Sequence, residues 1–245
     1  MEKKVAFVSG ASRGIGQQTV FCFARAGYSV AVAYHQGREA ASRTAEACRA
    51  LGAPEAFLVP LDLADDESVK RAVADTVKRF GCINVLVNNA GVLVVKPLAD
   101  LVFSEIDLHL RVNLEGLIKL TKTFLPYVSG AIVNVGSRLA YLPQKNLSVY
   151  VASKFGVRGF TKSLAKELPQ LRVYAVHPGL TATRMGGNFG GMDPAKVAEV
   201  VFRAATGKYH RPSGSDINAW YEGLGFFGKS VFRAKQLIKI LIGRT

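Results

Sequence analysis

The sequence predicts an α/β fold with a doubly wound, mainly parallel sheet that helices cover on both faces. Short β-branched runs alternate with longer helical patterns along most of the chain. The strand segments are apolar at nearly every position, as expected for a sheet that is buried on both faces. With 245 residues, 49% of them hydrophobic, the chain can bury one substantial core. We therefore expect one domain, residues 1–222, extended by a divergent helical C-terminus, residues 223–245.

Six strands and six helices follow from this alternation. The expected strands are 5–9, 29–34, 56–60, 83–88, 131–136 and 171–176. The expected helices are 15–26, 38–51, 67–80, 104–128, 149–168 and 193–206. Open sheets built this way bind their ligands at the carboxyl ends of the strands, so functional residues should directly follow the strand segments.

The net charge is strongly positive: the chain has 32 Lys and Arg residues and 18 Asp and Glu residues, which gives a formal charge of +14. Such a charge favours anionic partners such as phosphorylated cofactors, acyl carriers or acidic lipid headgroups. A solvated basic surface is the alternative. Nucleic acid is not an expected partner, since the sequence has no recognisable nucleic-acid-binding motif.

The cysteines and the N-terminal segment indicate the cellular compartment. Cys22, Cys48 and Cys82 are odd in number, far apart and outside any CxxC or Cys/His cluster, which argues against a disulfide framework and a metal site. The opening residues lack the long apolar region of a secretory signal, and no apolar run reaches the roughly 18 residues that would span a bilayer. We expect a cytoplasmic protein.

A glycine-rich turn, GASRGIG, directly follows the first strand and opens the first helix. It contains Gly10, Gly14 and Gly16. Backbone N–H groups and the helix dipole attract an anion at such a turn, and glycine lets a pyrophosphate approach the main chain. The turn therefore predicts a dinucleotide site, although a tight turn alone also needs glycines. Its GxxxGxG spacing differs from the GxGxxG fingerprint.

Together with the sequence NNAG at 88–91 and the ordered residues Asn113, Ser137, Tyr150 and Lys154, this turn resembles the short-chain dehydrogenase/reductase family over roughly residues 3–185. The resemblance implies a Rossmann fold and an oxidoreductase that interconverts a carbonyl and an alcohol by hydride transfer. A 3-oxoacyl thioester or another lipophilic ketone is the expected substrate class. The alternatives are an NAD-dependent alcohol dehydrogenase and a redox-sensing dinucleotide-binding regulatory protein.

Tyr150 and Lys154 are four residues apart and share a helix face. A nearby ammonium would lower the pKa of the phenol from about 10 toward the range useful for acid–base catalysis. The resemblance implies that Tyr150 is the general acid/base and that Lys154 also holds the nicotinamide ribose. It further implies that Ser137 orients the substrate, and that Asn113 interrupts its helix and holds a water. On its own, a Tyr/Lys pair at this spacing is usually a packed tyrosine and a solvated lysine.

The resemblance also assigns a cofactor site, with no metal ligand. Its residues are Gly10, Ser12, Arg13, Gly14, Ile15, Gly16, Tyr34, His35, Asp62, Leu63, Asn89, Ala90, Gly91, Tyr150, Lys154, Pro178, Gly179, Thr181 and Thr183. The second strand ends at Tyr34 and His35 without a carboxylate, and Arg13 suits a ribose 2′-phosphate. NADP(H) is therefore favoured over NAD(H), although Arg13 can also be read as a surface arginine and Asp62 as a helix cap.

The resemblance ends near residue 185, and most of the remaining quarter of the chain departs from the family pattern. The glycine-rich segment 185–192 is expected to form a lid over an apolar pocket lined by Leu93, Val94, Leu139, Tyr141 and Phe189. Residues 223–245 carry five cations and no acid, with apolar side chains on one arc. We expect residues 226–243 either to contact a membrane surface or to pack on the protein or a second subunit. The family's terminal strand is not recognisable, and a homo-oligomer, most simply a dimer, is expected.

Overall fold

The computed structural model describes residues 4–186 and 190–222 of the chain. Seven strands form one sheet in the order β3-β2-β1-β4-β5-β6-β7, and all neighbours are parallel. The strands are β1 Val5–Val8, β2 Ser29–Tyr34, β3 Ala56–Pro60, β4 Ile83–Asn88, β5 Val128–Val135, β6 Arg172–His177 and β7 Asp216–Asn218. The predicted doubly wound, Rossmann-type sheet is confirmed.

Helices cover both faces of this sheet. They are α1 Gly14–Arg25, α2 Arg38–Ala50, α3 Asp66–Phe80, α4 Phe103–Leu110, α5 Gly116–Phe124, α6 Ser148–Glu167, α7 Pro194–Ala205 and the short α8 Ala219–Glu222. Two buried clusters follow from the alternation of side chains along each strand. Val8 of β1 packs with Phe23 of α1 and Val201 of α7 on one face, whereas Phe7 packs with Phe124 of α5 on the other.

The strand order places the site. The chain runs outward from β1 to β3 on one side and from β4 to β7 on the other, so the direction reverses between β1 and β4. A crevice forms at the carboxyl ends of the strands at such a reversal. The glycine turn after β1 and the NNAG segment after β4 therefore meet there.

The single helix predicted over 104–128 is wrong in its continuity and its end. Between α4 and α5 the backbone forms a π-helical turn, Arg111–Glu115, and a 3₁₀ turn, Leu125–Tyr127, follows α5. Pro126 ends the helix because proline lacks the backbone N–H that a continuing helix needs. Strand β5 accordingly begins at Val128 rather than at residue 131.

The expected loss of the terminal strand is also wrong. Strand β7 pairs with β6 in parallel, although it has only three residues. Its central residue, Ile217, is apolar and buried, whereas the flanking Asp216 and Asn218 are polar. A single apolar residue between two polar ones gives too weak a pattern to recognise in the sequence.

Two further expectations concern residues outside those described. The amphipathic helix expected over 223–245 lies there, as do Phe189 and the middle of the expected lid. Within residues 4–186 and 190–222, no helix is both long and apolar enough to cross a membrane.

Candidate active site

The glycine turn adopts backbone conformations that require glycine. Gly10 and Gly14 have φ of +65° and +59°, in the left-handed region that side chains disfavour. A Cβ on Gly16 would lie 2.3 Å from the Gly10 carbonyl oxygen, so α1 packs directly on the turn. Helix α1 starts after the exposed Arg13, and no described side chain caps it. Its first N–H groups are therefore available to an anion such as a pyrophosphate.

Buried hydrogen bonds join this turn to the segment after β4. The Ser9 hydroxyl accepts hydrogen bonds from the N–H groups of Asn89 and Ala90, both at 3.0 Å. In return the Asn89 side-chain amide donates to the carbonyls of Ser9 and Gly10, at 2.9 and 3.2 Å. A Cβ on Gly10 would lie 2.9 Å from the Ala90 Cα. These contacts hold the two predicted cofactor-binding segments together.

The ends of β2 and β3 form the other side of the crevice. Tyr34 is buried at the end of β2, whereas the following His35 is exposed. The Nε2 atom of His35 lies 3.3 Å from Oδ2 of Asp62, and Oδ1 of Asp62 accepts a hydrogen bond from Ala64 N–H. Asp62 does not cap α3, because that position belongs to Asp65. The structure thus brings His35 and Asp62 together, with Leu63 buried beside them.

Asn113 lies fully buried in the π-helical turn, and its side chain bonds to the segment after β4. Its Oδ1 accepts from Val92 N–H at 2.7 Å, and its Nδ2 donates to the Val92 carbonyl at 3.0 Å. Nδ2 also lies 3.3 Å from the Ser153 hydroxyl of α6. The π turn interrupts the helix at Asn113, as the family resemblance implies, although the helical periodicity did not show it. The widened turn directs the amide sideways, where it links α6 to the loop after β4.

Lys154 is buried beneath the crevice, with 5% of its surface exposed. Its ammonium donates to the Val135 carbonyl at the end of β5, at 3.0 Å. A Cβ on Gly91 would lie 3.8 Å from the Lys154 nitrogen and 3.1 Å from the Asn113 Oδ1, so a side chain at residue 91 would crowd both groups. Burial lowers the pKa of Lys154 from its ordinary 10.5 to about 8, because the charged form loses its hydration.

Tyr150 lies one helical turn before Lys154 and is 8% exposed. The spacing to Lys154 predicts a lowered pKa for this phenol, but the net shift has the opposite sign. Burial raises the pKa of Tyr150 above its ordinary value, and a hydrogen bond with the Ser137 hydroxyl offsets part of the rise. The Lys154 nitrogen lies 5.8 Å from the centre of the Tyr150 ring and points to Val135, while water is excluded from the phenol.

Ser137 follows β5 after one intervening residue, Gly136. Its hydroxyl oxygen accepts from Leu139 N–H at 3.1 Å, which begins a 3₁₀ turn at Arg138–Ala140. The same hydroxyl is close enough to the Tyr150 phenol to lower its pKa. Since the Leu139 bond uses only a lone pair, the hydroxyl proton remains available to an acceptor in the crevice.

The loop after β6 closes the crevice against the glycine turn. Pro178 is buried, and the Thr181 hydroxyl donates to the Gly179 carbonyl at 3.0 Å. A Cβ on Gly14 would lie 3.2 Å from the side chain of Thr183, so these predicted cofactor-binding residues are neighbours. Met192, at the end of the expected lid, pairs with this loop by donating its N–H to the Leu180 carbonyl.

Two buried histidines near the site were not predicted from the sequence. His109 of α4 packs edge-on against the Tyr150 ring, with centroids 6.3 Å apart. Its Nε2 accepts from Val94 N–H at 3.0 Å, so its Nδ1 carries the proton shared with the Glu105 carbonyl at 2.7 Å. His177 ends β6 and lies beside the Ser137 backbone. An isolated histidine has no local signal, because its partners come from distant segments.

A glycine turn at the reversal point of a doubly wound parallel sheet defines a dinucleotide-binding protein of the Rossmann class. The family model described as short chain dehydrogenase matches residues 4–193. The chain therefore belongs to the short-chain dehydrogenase/reductase family and is an oxidoreductase that uses a nicotinamide dinucleotide.

Individual relatives carry different substrate names. A 3-oxoacyl-acyl-carrier-protein reductase of Staphylococcus aureus is 38% identical over 188 residues, which cover 74% of this chain and 76% of the relative. A trans-4-hydroxycyclohexanecarboxylate dehydrogenase of Sinomonas cyclohexanicum is 36% identical over 192 residues, 75% of this chain and 74% of the relative. A short chain dehydrogenase from Burkholderia cenocepacia, solved in complex with NADP, superposes with a TM-score of 0.82 at 32% identity and covers 88% of this chain and 95% of that one.

Proposed function

We propose that the protein is an NADP(H)-dependent reductase of lipophilic carbonyl compounds, with Tyr150 as the proton donor. The observation that carries the proposal is the buried Tyr150 phenol, whose pKa the nearby Ser137 hydroxyl lowers, one helical turn from the buried ammonium of Lys154. These groups lie where the crevice of the sheet opens. Two hydroxyls that meet this way can both hydrogen-bond to one carbonyl oxygen.

The residues around the crevice fit a nicotinamide dinucleotide. The glycine turn would hold its pyrophosphate, Lys154 its nicotinamide ribose, and Thr181 and Thr183 the nicotinamide end. When bound, the cofactor supplies the hydride for reduction or accepts it for oxidation. The positive φ of Gly10 and Gly14 supports this assignment, because it keeps the face of the turn free of side chains.

The environment of Tyr150 suits the role of proton donor in the reductive direction. A phenol whose pKa is raised by burial stays protonated at neutral pH and is ready to donate to a carbonyl oxygen. Ser137 orients that oxygen and stabilises the charge that develops on it. The Lys154 ammonium stabilises the phenolate left after the transfer, at a separation where a buried charge still acts. Asn113 joins α6 to the loop after β4 through its side-chain hydrogen bonds. We propose that its π turn also holds a water near Lys154.

The preference for NADP(H) is supported by the charges near the expected 2′-phosphate. Strand β2 ends at Tyr34, followed by His35, so there is no carboxylate at its end. Arg13 is exposed at the start of α1. The short chain dehydrogenase from Burkholderia cenocepacia was solved with NADP. We expect R13A to raise the Kd for NADPH about tenfold, an effect worth about 1.4 kcal/mol, and to leave the Kd for NADH unchanged. Isothermal titration with both cofactors measures this, and equal losses for both would refute a 2′-phosphate contact.

The substrate is proposed to be a 3-oxoacyl thioester or another lipophilic ketone. The reductase of Staphylococcus aureus supports the first, and the half-buried apolar side chains of Leu93, Val94 and Leu139 support the wider class. The dehydrogenase of Sinomonas cyclohexanicum shows that a similar identity also occurs in a relative named for a cyclic alcohol. A carrier-linked and a cyclic substrate must therefore be compared directly.

Absorbance at 340 nm tests the activity with NADPH and a panel of 3-oxoacyl thioesters, cyclic ketones and aldehydes. We expect turnover on at least one class, and a loss of about 10²-fold or more in Y150F, which removes only the phenolic oxygen. Y127F is the matched control, since Tyr127 lies 39% exposed in a 3₁₀ turn away from the crevice. NADPH binding without turnover on any substrate would instead favour a redox-sensing binding protein.

Self-association is a separate proposal. The segment from Val102 to Leu110 exposes several large apolar side chains, including 86% of Phe103 and 39% of Leu110. Exposed apolar side chains that cluster in this way support a homodimer. Light scattering after gel filtration measures the mass directly, and a monomer at micromolar concentration would contradict the proposal.

A further inference from the structure

A group of interacting polar side chains surrounds His177, which contacts the backbone of Ser137. His177, the last residue of β6, is fully buried, and its Nε2 lies 3.0 Å from Oδ1 of Asp216 on β7. The other ring nitrogen, Nδ1, lies 3.3 Å from the Ser137 N–H nitrogen and 3.0 Å from the Ser137 carbonyl oxygen. The imidazole therefore links the edge strand to the backbone of Ser137.

The His177 imidazole can contact Ser137 because residue 136, which precedes Ser137, is a glycine. A Cβ on Gly136 would lie 2.5 Å from Nδ1 of His177. Nε2 faces the carboxylate of Asp216, and Nδ1 faces both the N–H and the carbonyl of Ser137. The ring is thus held on both sides, by a carboxylate on one and by the main chain on the other.

Asp216 extends the link to the helix that carries Tyr150 and Lys154. Its Oδ2 lies 3.0 Å from Arg158 Nε and 2.9 Å from Lys162 Nζ, both on α6. Arg158 is one helical turn beyond Lys154, and Lys162 is one turn further. The bonds to His177, Lys162 and Arg158 hold the pKa of Asp216 well below its usual range, so the carboxylate is ionised at neutral pH.

Tyr141 completes a closed set of contacts. The Arg158 guanidinium lies 4.1 Å from the centre of the Tyr141 ring, and that ring meets His177 edge-on with centroids 4.9 Å apart. Tyr141 follows the 3₁₀ turn that begins after Ser137. Both ends of this turn therefore contact the group formed by His177, Asp216 and Arg158.

We propose that His177 and Asp216 are positioning residues, which fix the Ser137 hydroxyl relative to Tyr150 on α6. Backbone hydrogen bonds from Gly136 to Val176 and from Arg138 to Pro178 hold the main chain on either side of Ser137, and the imidazole adds a side-chain contact to Ser137 itself. Catalytic groups must be held to within about 0.5 Å. Here one carboxylate joins α6, β6 and β7, and one imidazole transmits that position to the Ser137 backbone. The proposal rests on the role of Ser137 and Tyr150 in the proposed function.

The first experiment compares H177L, H177N and D216N with the control K162M. K162M removes one ion pair from Asp216 without touching His177. We expect kcat to fall about tenfold or more in H177L and D216N, while the Kd for NADPH stays within about twofold. H177N, whose amide can replace Nδ1 beside Ser137, should recover part of the loss, and K162M should remain near wild type. If H177L does not fold, D216N carries the comparison, because it keeps the size and polarity of the side chain.

The second experiment combines each variant with S137A. Because His177 acts through Ser137, H177L or D216N should lower kcat much less in the S137A background than in wild type. Equal fold-losses in both backgrounds, or losses that only follow the fraction of unfolded protein, would show a purely structural role and overturn the proposal. Unchanged kcat in both variants would overturn it as well. If S137A and Y150F kept full turnover, the proposed function itself would fail, which is a distinct result.

Discussion

The buried ammonium of Lys154 should cost the protein stability at neutral pH. We consider Lys154→Met, which keeps an unbranched side chain of similar length and removes the charge. The pKa of Lys154 falls from 10.5 to about 8 on folding, which corresponds to about 3 kcal/mol at about 1.4 kcal/mol per pH unit. Methionine cannot donate to the Val135 carbonyl, which costs about 1 kcal/mol. We therefore expect the free energy of unfolding of K154M at pH 7 to exceed that of wild type by about 2 kcal/mol.

The gain should depend on pH with a definite sign. Below pH 8 the lysine is protonated in both the folded and the unfolded chain, so wild type bears the full cost of the buried charge. Between pH 8 and 10.5 the unfolded chain binds more protons than the folded one, and the stability of wild type rises. The advantage of K154M should thus shrink above pH 8 and reach roughly zero near pH 9.5.

Urea unfolding followed by circular dichroism at pH 7, 8.5 and 9.5 measures this difference. K166M is the matched control, because Lys166 is an exposed lysine on the same helix. Its effect should stay within about 0.5 kcal/mol at all three pH values. The reasoning is refuted if K154M is less stable than wild type at pH 7, or if its advantage is the same at every pH. Turnover of K154M should fall sharply in the same samples, so that stability and activity change in opposite directions.

Two further substitutions probe the crevice. G16A should weaken NADPH binding at least tenfold and lower the Tm, because a Cβ there would lie 2.3 Å from the Gly10 carbonyl oxygen. Cofactor titration measures the first effect and calorimetry the second. The control is G159A on α6, where a Cβ would have nothing within 4 Å, and its free energy of unfolding should rise by up to about 1 kcal/mol. N113A should lower the free energy of unfolding by about 2–4 kcal/mol, because it leaves the N–H and carbonyl of Val92 without partners. Urea unfolding checks this value, and a loss under about 1 kcal/mol would mean that water replaces the amide.

The parallel sheet and the glycine turn were predictable because their signals are local. A strand buried on both faces is apolar along its length, and a turn that needs positive φ needs glycine at particular positions. The spacing of Tyr150 and Lys154 on one helix is local as well. Strand β7 escaped prediction because it is too short to show a pattern, and the π turn at Asn113 because its partners, Val92 and Ser153, are distant in the sequence.

The sequence by itself determined the fold class, the family and the order of the residues that meet in the crevice. Only the tertiary structure decided their electrostatics, because burial depends on what packs around a group. Packing raised the pKa of Tyr150, where the spacing alone predicted a lower value, and it directed the Lys154 ammonium to Val135. It also brought His177 to Asp216, 39 residues further along the chain, and to Ser137, and no local pattern encodes these contacts.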